Sequence, residues 1–493
     1  MFEALPEKGI PGDQILAELR ELRSADLPTH GGRLFAYVYD PALDGLDELA
    51  RAAYAISAHV NGLDPTAFPS LLAMENALVG AAAELLGGDE HTVGSVTSGG
   101  TESLILAVKA ARDSRPDLVA PRLVIPSTAH AAFAKAAHYL RVELDVVPVG
   151  ADLRADPQAM AAAIGPDTVL VAASAPSYAH GVVDPIAEIA AAAAERGIRF
   201  HVDACFGGWV LPYLRRLGAD LPAFDLAVPG VTSISVDLHK YAYAPKGVSI
   251  LLHRDEALRL PQYFAFAGWP GYTMINPIIS STRSGGPIAA ALATLRHIGD
   301  AGYLDLAART REAVTVLAEA VTATDGVRLF TPSETSVVCL ASAEDAGVDL
   351  FVLADELAAL GWHTQPQLAF ADLPATIHLT VTASVAPTAA EFGPDLAAAV
   401  AAARAAGPAD LPAPLLEAAA ALTPEMVTPE LIGGLAEGLG LGGGDFTRMA
   451  AVNSLLDAAP PALREALLTG FLSRLQRPGR RRPVATTSSP VTE

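Results

Sequence analysis

The sequence predicts an α/β protein: a mainly parallel central sheet covered by helices, then a smaller α+β unit and an extra helical tail. Three observations carry that reading. Short apolar, β-branched runs recur between alanine-rich segments of helical length, the alternation that builds βαβ units. Asp203 and Lys240 fall at or just after the ends of such runs, where open parallel sheets gather ligand groups. Beyond Gly407 the alternation stops, and short helical segments separated by Pro and Gly take over.

In chain order, residues 1–60 read as a helix, an aromatic-rich loop (Gly31-Gly32-Arg33-Leu34-Phe35-Ala36-Tyr37-Val38-Tyr39) and a second helix. Asn61-Gly62-Leu63-Asp64-Pro65 is a turn, and the spacing predicts an amphipathic helix over 68–86. Strands are expected at 122–126, 144–149, 168–173, 198–203, 233–236 and 248–253, with helices such as 131–140 and 185–196 between them. Together 61–323 form a large domain, closed by a long helix over 287–323. Residues 324–407 form the small α+β domain, with strands near 336–341 and 376–382. A helical extension covers 408–476, with helices at 414–422 and 429–439 and a flexible break at Leu439-Gly440-Leu441-Gly442-Gly443-Gly444. The Ser/Thr/Pro-rich end, 477–493, is expected to be disordered. No internal repeat is visible.

With 493 residues, 51% of them hydrophobic, the chain can bury more than one core. Its net charge of −22 argues against nucleic-acid binding, and an anionic substrate would need a local basic cluster to be caught. The two cysteines, Cys205 and Cys339, do not make a disulfide framework and point to a reducing cytoplasm. The N-terminus has no signal-peptide core, and the alanine-rich runs are interrupted by charge, so no membrane span is expected.

The chemistry concentrates in Asp237-Leu238-His239-Lys240-Tyr241-Ala242-Tyr243-Ala244-Pro245-Lys246-Gly247. A lysine just after a strand can be held against a carbonyl and, if partly desolvated, can lose its proton and form a Schiff base. Asp203 ends another strand. Ser98-Gly99-Gly100-Thr101-Glu102-Ser103 reads as a glycine-rich helix start whose free N–H groups can take a phosphate, and it fits neither the dinucleotide fingerprint nor a P-loop. Lysine, strand-end acid and phosphate-cradling turn are the parts that hold pyridoxal 5'-phosphate, and no metal is expected. Each part alone is a weak signal; their order makes them specific.

The set resembles fold-type-I enzymes of the group II pyridoxal-dependent decarboxylase superfamily, and within it the sphingosine-1-phosphate lyases. The likeness spans roughly residues 20–400. It rests on 61–68, Thr97 to Ser103, Ser127-Thr128-Ala129-His130-Ala131-Ala132-Phe133, Ser174-Ala175-Pro176-Ser177-Tyr178-Ala179-His180-Gly181, His201-Val202-Asp203-Ala204-Cys205-Phe206-Gly207-Gly208 and the Lys240 segment. The resemblance implies that Lys240 bonds the cofactor, that Asp203 pairs with its pyridine nitrogen, and that His130 stacks on its ring. Gly99, Gly100, Thr101 and His239 would hold its phosphate. Tyr39, Tyr178 and Lys246 match residues that surround a phosphorylated substrate, with a tyrosine or a nearby histidine as base. Two departures stand out. Phe35, Ala36 and Tyr37 replace small residues, and Arg283-Ser284-Gly285-Gly286 replaces the usual Arg-Pro-Gly-Gly.

The implied activity is a carbon–carbon lyase that cleaves a phosphorylated β-hydroxy amine to an aldehyde and a phosphorylated amine. It would work as a homodimer in which 278–286 reaches the neighbouring subunit's cofactor phosphate. Two alternatives stand beside it: an amino-acid α-decarboxylase using the same cofactor apparatus, and a non-catalytic binding protein of the same fold.

Overall fold

The computed structural model describes residues 5–409, 422–439 and 446–477. Its main sheet has seven strands: β1 (Val93–Thr97), β2 (Arg122–Pro126), β3 (Glu143–Val147), β4 (Thr168–Ser174), β5 (Arg199–Asp203), β6 (Ser233–Asp237) and β7 (Ser249–His253). Their spatial order is β1-β7-β6-β5-β4-β2-β3. The β3-β2-β4-β5-β6 run is parallel, and β7 lies antiparallel to both β6 and β1. Every residue of β4, β6 and β7 is buried, as expected of central strands covered by helices on both faces.

The expected strands of this sheet all form, with ends shifted by a residue or two. Missed from the sequence was β1, whose Val93-Gly94-Ser95-Val96-Thr97 lacks a continuous apolar run because Gly94 must lie flat under Leu252 and Val79. Also missed was the exposed hairpin of β8 (Phe264–Phe266) and β9 (Met274–Asn276).

The long helix Gly285–Ala323 bends at Gly299 (φ 65°, ψ 171°), a conformation open to glycine. Before the bend, Ile288, Ala291 and Leu295 pack into the main core. Its far end, from Ala313 to Val321, packs under a second, antiparallel sheet of β10 (Val327–Leu329), β11 (Val337–Ser342), β12 (Gln365–Gln367) and β13 (Thr376–Thr380), in the order β10-β11-β13-β12. The aromatic loop is fastened to this second unit. Phe35 stacks on the fully buried Trp362 at 5.7 Å, Arg33 lies 4.4 Å over the same indole, and the Thr380 amide donates to the Phe35 carbonyl.

The extension contributes helices Pro429–Gly438, Ala450–Ala458 and Pro461–Leu475. The expected helix at 414–422 and the disordered end lie almost wholly outside the described residues, as does most of the glycine-rich break. No described helix is long and apolar enough to cross a membrane.

Candidate active site

A cleft of about 470 Å³ opens at the carboxyl ends of the parallel strands. Ser98, Gly99, Gly100, Thr101, His130, Tyr178, Asp203, His239, Lys240 and Lys246 all line it. Residues from five separate sequence segments therefore meet in one place, as the strand-end argument requires.

The glycine-rich helix start forms as expected. Gly99 precedes the helix Gly100–Asp113, whose first-turn N–H groups lack intrahelical partners. A side chain at Gly100 would run into Cys205 Sγ at 2.8 Å and the Asp237 carboxylate at 3.0 Å. Glu102 braces the turn, accepting from the Ser98 amide (2.7 Å) with one oxygen and from the Ile279 amide (2.9 Å) with the other. His239 lies against the turn, and its buried Nδ1 has no protein partner. An orphaned imidazole nitrogen beside free helix N–H groups suits a phosphate.

Asp203 sits at the end of β5, buried, with Oδ1 taking the Cys205 amide at 3.1 Å. His130 follows β2 and is exposed at the rim; its Nδ1 accepts from the Ala132 amide at 3.1 Å. The close turn after β5 needs Gly207, where a Cβ would lie 2.4 Å from Pro176 Cδ. A lysine, a strand-end acid, a rim histidine and a glycine-rich helix start in one cleft thus fit pyridoxal 5'-phosphate.

Lys240 can lose its proton if desolvation dominates, but here Asp237 Oδ2 lies 2.8 Å from Nζ. Burial pushes the ammonium pKa down, yet Asp237, with Cys205 and Asp203 beyond it, outweighs burial and holds the pKa above its usual value. Asp237 is itself buried, takes the Ser249 hydroxyl at 2.5 Å and lies 3.6 Å from His239 Nε2. Burial raises its pKa, but Lys240 and His239 bring it below the usual carboxylate range. The aspartate three residues before the lysine was the available signal for this pair. Asp237→Asn should remove the largest opposition to burial, leaving Cys205 and Asp203, and lower the Lys240 pKa. Its apoprotein should then take up cofactor faster at neutral pH, because attachment needs the free amine. Stopped-flow absorbance across pH measures this, and an unchanged profile would show that another charge governs Lys240.

The tyrosines divide. Tyr178 lines the cleft, stacks on His378 at 4.7 Å and donates its hydroxyl to Gln365 Oε1 at 2.6 Å. Tyr39 lies behind, edge-on to Tyr241 at 5.1 Å, with Lys246 Nζ 5.1 Å over its ring. Burial raises the pKa of both phenols, for Tyr178 against the opposing pull of Lys240. Neither is an ionised base in the resting site. His378, pushed down to about 4 by burial, is neutral, with one nitrogen 2.8 Å from Thr380 Oγ1 and the other 3.3 Å from the Ala179 carbonyl. Gln365 and His378, from the small sheet, were not visible in the sequence as site residues; nothing local marks them.

Lys246 stands at the exposed edge. Burial, and then Lys240, lower its pKa to about 8 against the pull of Asp237. Of the bulky loop residues, Phe35 and Ala36 are fully buried in packing, and Tyr37 alone faces solvent, at φ 67°. The departures at Phe35 and Ala36 therefore fill core. Arg283 pairs with Glu75 of its own chain, Nη2 to Oε2 at 2.6 Å.

Known proteins of this pattern are numerous. The family model "Pyridoxal-dependent decarboxylase conserved domain" matches residues 3–341, and "Pyridoxal-dependent enzyme, C-terminal putative HTH domain" matches 413–474. The chain is 36% identical over 405 residues to a sphingosine-1-phosphate lyase of Arabidopsis thaliana, covering 80% of this chain and 73% of that protein. To the sphingosine-1-phosphate lyase of Dictyostelium discoideum it is 37% identical over 387 residues, 77% and 71% of the two chains. The solved sphingosine-1-phosphate lyase of Burkholderia pseudomallei superposes with a TM-score of 0.77 at 34% identity, covering 82% of this chain and 94% of that one.

Proposed function

This chain belongs to the pyridoxal-dependent decarboxylase family, on its sphingosine-1-phosphate lyase branch, and from that premise we propose that its substrate is a phosphorylated β-hydroxy amine, cleaved by retro-aldol chemistry to an aldehyde and a phosphorylated amine. It is a pyridoxal-phosphate-dependent lyase. The observation that carries the substrate proposal is Lys246, a cation at the cleft mouth beside the cofactor lysine and outside the phosphate turn.

Bound pyridoxal phosphate supplies an electron sink for the pair released when the carbon–carbon bond breaks. Asp203 keeps a carboxylate where the pyridine nitrogen is expected. Lys240 would anchor the cofactor, and its amine, when free, could move protons within the cleft. Tyr178, whose O–H donates to Gln365, keeps oxygen lone pairs free to accept a hydrogen bond from the substrate's β-hydroxyl. Lys246 holds the substrate phosphate.

The test sets sphingosine 1-phosphate beside a panel of amino acids and follows aldehyde and carbon dioxide in parallel. Aldehyde from the phosphorylated amine supports the reading. Carbon dioxide from an amino acid, with every phosphorylated amine untouched, would replace it with the decarboxylase reading.

A homodimer belongs to the same proposal. The helix Gly12–Leu22 buries no residue and exposes Ile15, Leu16, Leu19 and Leu22, and the β8–β9 hairpin exposes Phe264, Phe266, Trp269, Tyr272 and Ile275. Apolar surface of that extent calls for a partner. Residues 278–286, tied by Ile279 to Glu102 and so to the phosphate turn, lie beside the hairpin. We expect sedimentation to give a dimer at assay concentration, and Trp269→Glu with Ile275→Glu to dissociate it and weaken cofactor retention. A fully active monomer would overturn this. The buried, free Cys205 and Cys339 accord with a reducing, cytoplasmic setting.

A further inference from the structure

The small sheet turns a polar edge toward Tyr178. In the β12–β13 ladder Gln365 lies opposite His378 and Gln367 opposite Thr376. Alternation puts both glutamines on one face. Gln365 takes the Tyr178 hydroxyl at 2.6 Å, and Gln367 Nε2 donates to the Ala179 carbonyl at 2.8 Å. The segment that carries Tyr178 is thus gripped from a three-residue edge strand. So short a strand is weakly held by its own ladder.

The C-terminal extension holds it from the other side. Asp457, near the end of helix Ala450–Ala458, accepts the Ala369 amide at 2.6 Å, just past β12. The start of that helix is fastened to the same unit: the Met449 and Ala450 amides donate to the buried Asp355 carboxylate at 2.8 and 3.0 Å. The extension's Arg464 is spent on its own carbonyls at Leu456, Asp457 and Ala459, and Arg448 on Glu356, so neither is offered to a nucleic-acid backbone.

We propose that Gln365 is a positioning residue for Tyr178, and that the C-terminal extension, through Asp457, holds in place the strand that presents it. The proposal rests on the reading that Tyr178 meets the substrate hydroxyl. A phenol O–H lies near the ring plane in one of two orientations, and the acceptor within reach decides which one it takes. Gln365 fixes that donation away from the substrate, so that the phenol oxygen faces the hydroxyl as an acceptor. Burial keeps the phenol protonated, which makes the direction of donation the property that matters.

The test uses full-length holoenzyme. Gln365→Leu, Gln365→Glu and Asp457→Ala are each made in the wild-type and Tyr178→Phe backgrounds; kcat, KM, cofactor absorbance and Tm are measured. Gln365→Leu should lower kcat about tenfold, the scale of one lost hydrogen bond in the transition state, with KM and cofactor loading little changed. Gln365→Glu, still an acceptor, should restore most of it. Asp457→Ala should give a smaller fall of the same kind. In the Tyr178→Phe background all three effects on kcat should vanish, whereas a merely structural role would multiply through both backgrounds. If Tyr178→Phe turns over like wild type, the tyrosine reading fails and this proposal with it. If Tyr178→Phe is slow but Gln365→Leu is at wild-type rate, or its effect persists without the hydroxyl, only the positioning role is overturned. A normal kcat for Asp457→Ala overturns the part played by the extension.

Discussion

Lys240→Ala is expected to abolish turnover and the covalent attachment of the cofactor, and with it the yellow colour of the purified protein. The other lysines nearby are committed elsewhere. Lys109 is bound to the carbonyls of Pro261 and Tyr263 and to Asp113, Lys135 lies over the Tyr139 ring, and Lys246 lies over Tyr39. Borohydride reduction and peptide mapping of the wild type should place the adduct on Lys240 alone; an adduct on any of those three would sink the assignment. The variant has a second expected effect. Removing Nζ leaves Asp237 buried with only Ser249 and His239 beside it. Breaking a buried pair on one side costs about 3–5 kcal/mol. The apoprotein of Lys240→Ala should therefore melt lower than wild-type apoprotein, and adding Asp237→Asn should recover much of the loss. Equal melting of wild type and Lys240→Ala would mean that the pair carries no net stability.

That pair also marks how far the sequence could be read. The apolar runs that became β2 to β7 stood out because central strands are buried on both faces and need no polar alternation. Lys240, Asp203 and the Gly99-Gly100-Thr101 turn were legible because their chemistry sits beside strand ends that the same runs define. Asp237 was in plain view within the lysine segment, yet its role depends on the turn that folds Lys240 back over it. Gln365, His378 and Asp457 were beyond reach. Each acts on residues far away in the chain, Gln365 on a tyrosine 187 positions earlier, and no periodicity encodes such a contact. The hairpin β8–β9 was missed for the opposite reason. Its apolar side chains face outward, so its pattern says little about the fold of its own chain.

Lys246→Ala should separate substrate binding from cofactor binding. If Lys246 pairs with a substrate phosphate, its loss removes one charge-assisted contact to a dianion. Such a contact contributes on the order of 1.5–3 kcal/mol, or roughly tenfold to more than a hundredfold in affinity. KM for the phosphorylated amine should rise by that factor while cofactor absorbance stays normal, because the variant leaves untouched the glycine turn and His239 proposed to hold the cofactor phosphate. The wild type carries its own version of the test. Burial and the neighbouring Lys240 ammonium bring the Lys246 pKa down to about 8, with Asp237 pulling the other way. Lys246 is therefore charged below that value and loses its proton as pH rises through it. KM for a phosphorylated substrate should accordingly climb in the wild-type holoenzyme as pH rises through the Lys246 pKa, which lies below the usual lysine value because of burial, and the climb should be absent in Lys246→Ala. A bound phosphate would itself raise the lysine's pKa, so kcat, which reports the loaded enzyme, should show the same transition at higher pH or not at all. A KM that rises equally in both proteins would assign the titration to another group and take the substrate phosphate away from Lys246.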